Sequence, residues 1–244
     1  LAFDQADRDP VWAEAVAGLL TTATAQRFDI ASVAEQLSAY LPVGSGRGRS
    51  WLERSSAMVP AFSGRPAHIQ SYADGILDRG DDLEASIYVG LAAYMLALMG
   101  RLDECHPRLE QLRQLTRRYQ TPFSVDSVGN GYAAAIVADT IRGDLGLARG
   151  RGRRPIPIDP AFSMTSAAAL AHAALLSSDA ETMGQALEWA TQGSFQLLEF
   201  LTPFTNCCRV LLDGVVGEAA DHAADFWEAS VAVPVWRLFA LPLV

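Results

Sequence analysis

Histidine, cysteine and clustered carboxylates are the side chains that bind metals, move protons or attack carbonyl carbon. In this chain none stands at a spacing those reactions need. His68, His106, His172 and His222 are scattered over separate segments, with no His-Glu-x-x-His signature and no local acid–base dyad. Cys207 and Cys208 are adjacent, so on a helix their side chains diverge by about 100° and cannot chelate together. They read, with Cys105, as small packing residues. Asp81-Asp82-Leu83-Glu84 is the nearest approach to an aspartate-rich metal-binding helix. It lacks a third carboxylate at the next helical offset, and is expected to cap a helix and complement its positive end. No Gly-x-Ser-x-Gly elbow occurs, and Gly44-Ser45-Gly46-Arg47-Gly48-Arg49 lacks the Lys-Ser/Thr ending of a phosphate loop. Arg149, Arg151, Arg153 and Arg154 form the densest basic cluster. Without interleaved aromatics it offers no stacking platform for bases, and it is expected to be a solvated loop. The sequence thus predicts no catalytic residue, no cofactor and no metal.

The elements that would position a site are helical. Half of the 244 residues are hydrophobic and 19% are charged, a folded composition in which Ala and Leu, both strong helix formers, dominate. A formal charge of −9 repels phosphate backbones and anionic headgroups, which argues against nucleic acid and membrane surfaces as partners. The longest apolar stretch, Ile87 to Met99, falls short of the roughly 20 residues a bilayer requires. Three cysteines make a poor disulfide framework and fit a reducing cytoplasm. Leu1 in place of an initiator Met reads as a piece excised from a longer protein.

Amphipathic periodicity is plain in two segments. From Pro107 to Tyr119, Leu109, Leu112, Leu115 and Tyr119 share a face opposite several arginines and glutamines. From Gly217 to Ser230, Ala219, Ala223, Phe226 and Ser230 form one stripe and Glu218, Asp221, Asp225 and Glu228 another. Short turns recur at Gly64, Gly100, Gly143, Ser178 and Gly214, spaced 36, 43, 35 and 36 residues apart. About 35 residues is what a helix, a tight turn and an antiparallel helix occupy, and such pairs bury their apolar faces by stacking on neighbours. After Asp144, Gly146, Gly150, Gly152 and Pro155 predict a helix of about two turns followed by an irregular loop to Pro160. The expected organisation is a helical cap or tail of a preceding domain over residues 1–42, built on Pro10 to Tyr40, a flexible basic linker over 43–50, and a repeat array over 51–244.

The array resembles tetratricopeptide repeats. Ala93, Leu96, Gly100, Cys105, Leu109 and Leu112 reproduce the family's small, large, turn-Gly, small, large order, with Cys105 where Ala is usual. Leu170, Ala171, Ser178, Leu187 and Ala190 form a second match, with Met183 replacing a small residue, and Gly143 to Ala148 and Gly214 to Ala219 supply two further turns. The resemblance implies an all-α fold of antiparallel helix pairs stacked as a right-handed α-solenoid. Its first helices would line a groove for a peptide or helix, with Tyr94, Val137, His172 and Cys208 on successive rungs and Asn130, Thr140 and Phe204 beside them. The Lys, Arg and Asn of the family's carboxylate clamp are missing. In texture the chain is also similar to the repeat arms of large LuxR-type bacterial transcription regulators, which implies effector sensing or oligomerisation. The expected role is a non-catalytic protein-interaction or scaffolding module; an all-α enzyme or small-ligand receptor is the alternative. Trp227 and Trp236, with Phe239 and Leu241, are expected to be exposed and to suit a homodimer contact.

Overall fold

Glycine lacks a Cβ and so enters the left-handed region that stops a helix and reverses the chain. In the computed structural model, which describes residues 53, 57, 60–61, 64–118, 130–152, 160–192, 200–231 and 234–240, all five turn positions read from the sequence have positive φ, from 52° at Ser178 to 81° at Gly64 and Gly143. At each, the amide after the turn residue bonds back five residues, as Arg101 does to the Leu96 carbonyl at 2.9 Å and Val215 to Val210 at 2.8 Å. The expected segments 1–42 and 43–50 lie outside the described residues.

Among the described residues there are ten helices and no strand. They are α1 (Ala67–Asp78), α2 (Asp82–Leu98), α3 (Leu102–Arg118), α4 (Gly131–Ile141), α5 (Leu145–Gly152), α6 (Pro160–Leu176), α7 (Ala180–Gln192), α8 (Leu201–Leu212), α9 (Val216–Ala229) and α10 (Val235–Ala240). Asp81 caps α2 by accepting from the Glu84 amide at 3.0 Å, with Asp82 and Glu84 in the first turn, so these acids serve the helix end as anticipated. Helix α3 begins five residues before the expected Pro107, because Asp103 and Glu104 suit a helix N-terminus; Pro107 is its sixth residue and forgoes one backbone bond, that to the Asp103 carbonyl. Helix α5 ends at Gly152, about two turns long as the glycines imply. A Cβ there would lie 2.8 Å from the Leu170 side chain, so the glycine also lets α5 approach α6.

Helices α2 and α3, α4 and α5, α6 and α7, and α8 and α9 form hairpins, and α2, α4, α6 and α8 pack on one another in that order. The inner helices are apolar almost all round: Tyr88 to Leu98, Gly131 to Thr140 and Ser163 to Ala174 are continuously buried. Their alanines allow close approach. Helices α3, α7 and α9 bury one face only, in α3 through Cys105, Leu109, Leu112 and Leu115. Helix α1 is held to the first hairpin by Arg108 of α3, whose guanidinium forks onto the Asp74 carboxylate, one arm at 2.8 Å, and by an edge-on contact of Tyr72 with Tyr88 at 4.9 Å. One relationship departs from a plain stack: α10 returns to α2.

Candidate functional site

The return of α10 places Trp236 in the interior, 3% exposed, where exposure was expected. Its indole N–H donates to the Tyr94 hydroxyl at 3.1 Å, and the two rings meet edge-on at 5.8 Å. The indole also lies edge-on to Phe200, just before α8, at 5.3 Å. From Phe200 the contact continues to Phe226 of α9 at 6.5 Å, from Phe226 to Phe204 of α8 at 5.3 Å, and from Phe204 to His172 of α6 at 6.1 Å. Six rings therefore run without a gap from α2 to α6 by way of α10, α8 and α9. Three of these contacts, Tyr94–Trp236, Trp236–Phe200 and Phe204–His172, are edge-to-face, and such pairs add roughly 0.5–1.5 kcal/mol each beyond the area they bury.

The seven positions placed on the groove rungs are all buried, from 0% exposure at Val137 and Cys208 to 7% at Asn130. Tyr94, His172 and Phe204 belong to the aromatic seam. Asn130 accepts from the Thr165 hydroxyl at 3.1 Å, a link across 35 residues between α6 and the start of α4. Thr140 donates to the Ile136 carbonyl of its own helix at 2.7 Å, and Val137 packs in the core. Burial pushes the Tyr94 hydroxyl well above the ordinary phenol range, against the smaller effect of the Trp236 donor, so it stays neutral. Burial likewise pushes His172 down to about 4, which keeps the imidazole uncharged at neutral pH. The thiols move the other way: Cys105 is pushed up to about 12 and Cys208 well above its usual value, both by loss of water, and Cys207 donates to the Ala219 carbonyl. Of the expected exposed aromatics, Trp227 is 40% exposed; the side chain of Phe239 and all of Leu241 lie outside the described residues.

The arginine run is a second correction. Arg149 and Arg151 stand in α5, not in a solvated loop, and each is ion-paired: Arg149 with Asp179 at 2.8 Å and Arg151 with Asp139 at 2.8 Å. Asp139, 2% exposed, also takes Arg142 at 2.9 Å. Sequence reasoning missed Asp139, although its place four residues before Gly143 and inside an apolar helix was a signal, since a buried carboxylate needs cations. Arg153 and Arg154 lie outside the described residues. Among the described residues no group of three or more His, Cys, Asp or Glu could hold a metal ion, and no helix is long and apolar enough to cross a membrane. Comparison of the chain with protein-family models, with curated proteins and with solved structures returns no match.

Proposed function

We propose that this chain is a non-catalytic, tetratricopeptide-like interaction module whose inner helices receive a tryptophan-bearing helix, and that α10 occupies the receiving cradle in cis. The observation that carries the reading is the seat of Trp236, hydrogen-bonded to Tyr94 of α2 and flanked by Phe200 at the start of α8. A large aromatic anchor with one polar end, in a desolvated pocket, is the usual centre of a protein–protein hot spot. Hairpins related by turns of one kind, with inner helices packed in sequence order, support a solenoid as the scaffold. Pairing of Arg149 and Arg151 with Asp179 and Asp139 leaves these cations little capacity for phosphates, which supports a protein partner over nucleic acid. A repeat arm of a LuxR-type regulator, acting in the cytoplasm, is the setting this reading suits.

The test uses the full chain carrying Trp236→Ala and a fluorescein-labelled peptide of residues 231–244. Saturable binding to the variant, weaker binding to the wild type and weak binding of the peptide carrying the same substitution are expected. Equal binding of both peptides, or none to the variant chain, overturns the reading.

A further inference from the structure

Helix α9 carries more apolar surface than α8 covers. Ala219 and Phe226 are buried, with Ser230 just beyond the helix, as one amphipathic face requires. A second row, Val216, Ala220, Ala224, Trp227 and Val231, recurs at steps of four, four, three and four and is exposed along its length. Val216 is 70% exposed and Val231 57%. Beside this row run Asp221, Asp225, Glu228 and Glu218, all exposed and without an ion pair among the described residues. Elsewhere in the fold many acids are matched, as Asp74, Asp139, Asp179 and Asp213 are with arginines. At the C-terminal end Arg237 stacks over Trp227 at 4.3 Å and donates to its carbonyl oxygen, which steadies the indole in an exposed position.

We infer that the outer face of α9 is a docking surface for an amphipathic helix of another protein, with apolar residues in one row and Lys or Arg along one edge. Charge decides the occupant. Two copies of this chain pairing antiparallel through the row would lay one acidic edge against the other, which repels. The chain's own undescribed segments fit no better. Residues 1–42 carry Arg8 and Arg27 against Asp4, Asp7, Asp9, Glu14, Asp29 and Glu35, residues 51–59 carry Arg54 against Glu53, and residues 119–129 and 193–199 contain no basic residue. The basic segments are 43–50, with Arg47 and Arg49, and 153–159, with Arg153 and Arg154; Gly44, Gly46 and Gly48 in the first and Pro155 and Pro157 in the second disfavour the helix that an apolar row needs. A separate basic helix matches both the apolar row and the acidic edge. This surface lies outside the Trp236 cradle, and the inference does not rest on it.

The probe is a labelled 18-residue model helix with a leucine row and lysines along one edge, alongside versions with glutamate in place of lysine and with the same residues scrambled. Anisotropy titrations of the full wild-type chain are expected to show saturable, salt-sensitive binding of the lysine helix. At least tenfold weaker binding is expected for the two controls, and for the lysine helix with the Ala220→Gln/Ala224→Gln variant, which keeps its net charge and its far-UV circular dichroism. Trp236→Phe, which keeps a ring in the cradle and α10 in place, is expected to bind the probe as wild type does. Binding that survives the double substitution, or that the scrambled peptide shares, reduces the effect to net charge and overturns the inference. So does no binding at all. A wild-type dimer in sedimentation equilibrium that the double substitution dissociates assigns the face to a second copy instead.

Discussion

Trp236 and Tyr94, 142 residues apart in sequence, share a hydrogen bond of 3.1 Å in the interior of the fold. No other hydrogen bond described here spans so much chain, and it fixes a six-residue terminal helix to the first hairpin. A helix this short has no stability of its own, so α10 stands by what Trp236 touches.

Replacing Trp236 by Phe keeps a ring between Tyr94 and Phe200 but removes the donor and part of the buried indole, at a cost of about 1–3 kcal/mol. Trp236→Ala removes the anchor and is expected to release α10. Hydrogen exchange should then show amides 235–240 losing protection while those of α4 keep theirs. Unchanged protection in the alanine variant would mean that Trp236 does not hold the helix.

Asp139 pairs with two arginines from a position 2% exposed. Asp139→Ala leaves Arg151 without its carboxylate, and breaking such a pair on one side costs about 3 kcal/mol. Urea unfolding should report that loss, with a smaller one for Asp139→Asn, which retains an acceptor. Equal stability of wild type and Asp139→Ala would deny the pair any role in holding α5 to α4.

His172 is neutral in the fold, with its value pushed down to about 4 by burial, whereas in the unfolded chain it titrates near 6.5. Between these values the unfolded state binds the extra proton. Stability from this site is therefore complete above about pH 6.5 and is lost as the pH falls towards 4, a total of about 3 kcal/mol. The Asp74 and Asp179 carboxylates, lowered by Arg108 and by the Thr182 amide respectively, act in a more acid range. His172→Phe is expected to flatten the dependence of unfolding free energy on pH between 4 and 6.5; an unaltered slope would assign it to other groups.

Ser178 adopts φ 52° where the four corresponding turns have glycine. Ser178→Gly is expected to raise stability by about 0.5–1 kcal/mol, because an L side chain in this region is strained. Gly100→Ala, where an added Cβ meets nothing within 4 Å, should lower it by about 1 kcal/mol through backbone strain alone. Thermal unfolding of the two variants tests both signs at once.

Cys105, Cys207 and Cys208 are buried, and their thiols are shifted towards the protonated form. None should react with Ellman's reagent in the native protein at pH 8, and all three should react in denaturant. A fast native thiol would show an opening of α3 or α8 that the packing does not suggest.

Helices and turns were legible in the sequence because both are local. Glycine stops a helix by its own backbone freedom, so Gly64, Gly100, Gly143 and Gly214 marked reversals without knowledge of anything distant. Gly80, with φ 78°, also ends a helix, but it stands directly before Asp81, which caps α2, so the local pattern there reads as a helix start. The buried stripe of α9 followed from periodicity. Its second, exposed row did not stand out, because alanine reads alike on a covered and an uncovered face.

From its residues alone this chain determined an all-α fold, the places where helices reverse, and the absence of any short motif for metal or nucleophilic chemistry. Tertiary structure alone decided that Trp236 lies inside and Trp227 outside, that Arg151 pairs with Asp139, and that α10 closes onto α2. The physical reason is range. A turn or a helix face is settled by residues within a few positions of one another, whereas the partner of an indole or a guanidinium depends on which distant helices the stacked core brings alongside.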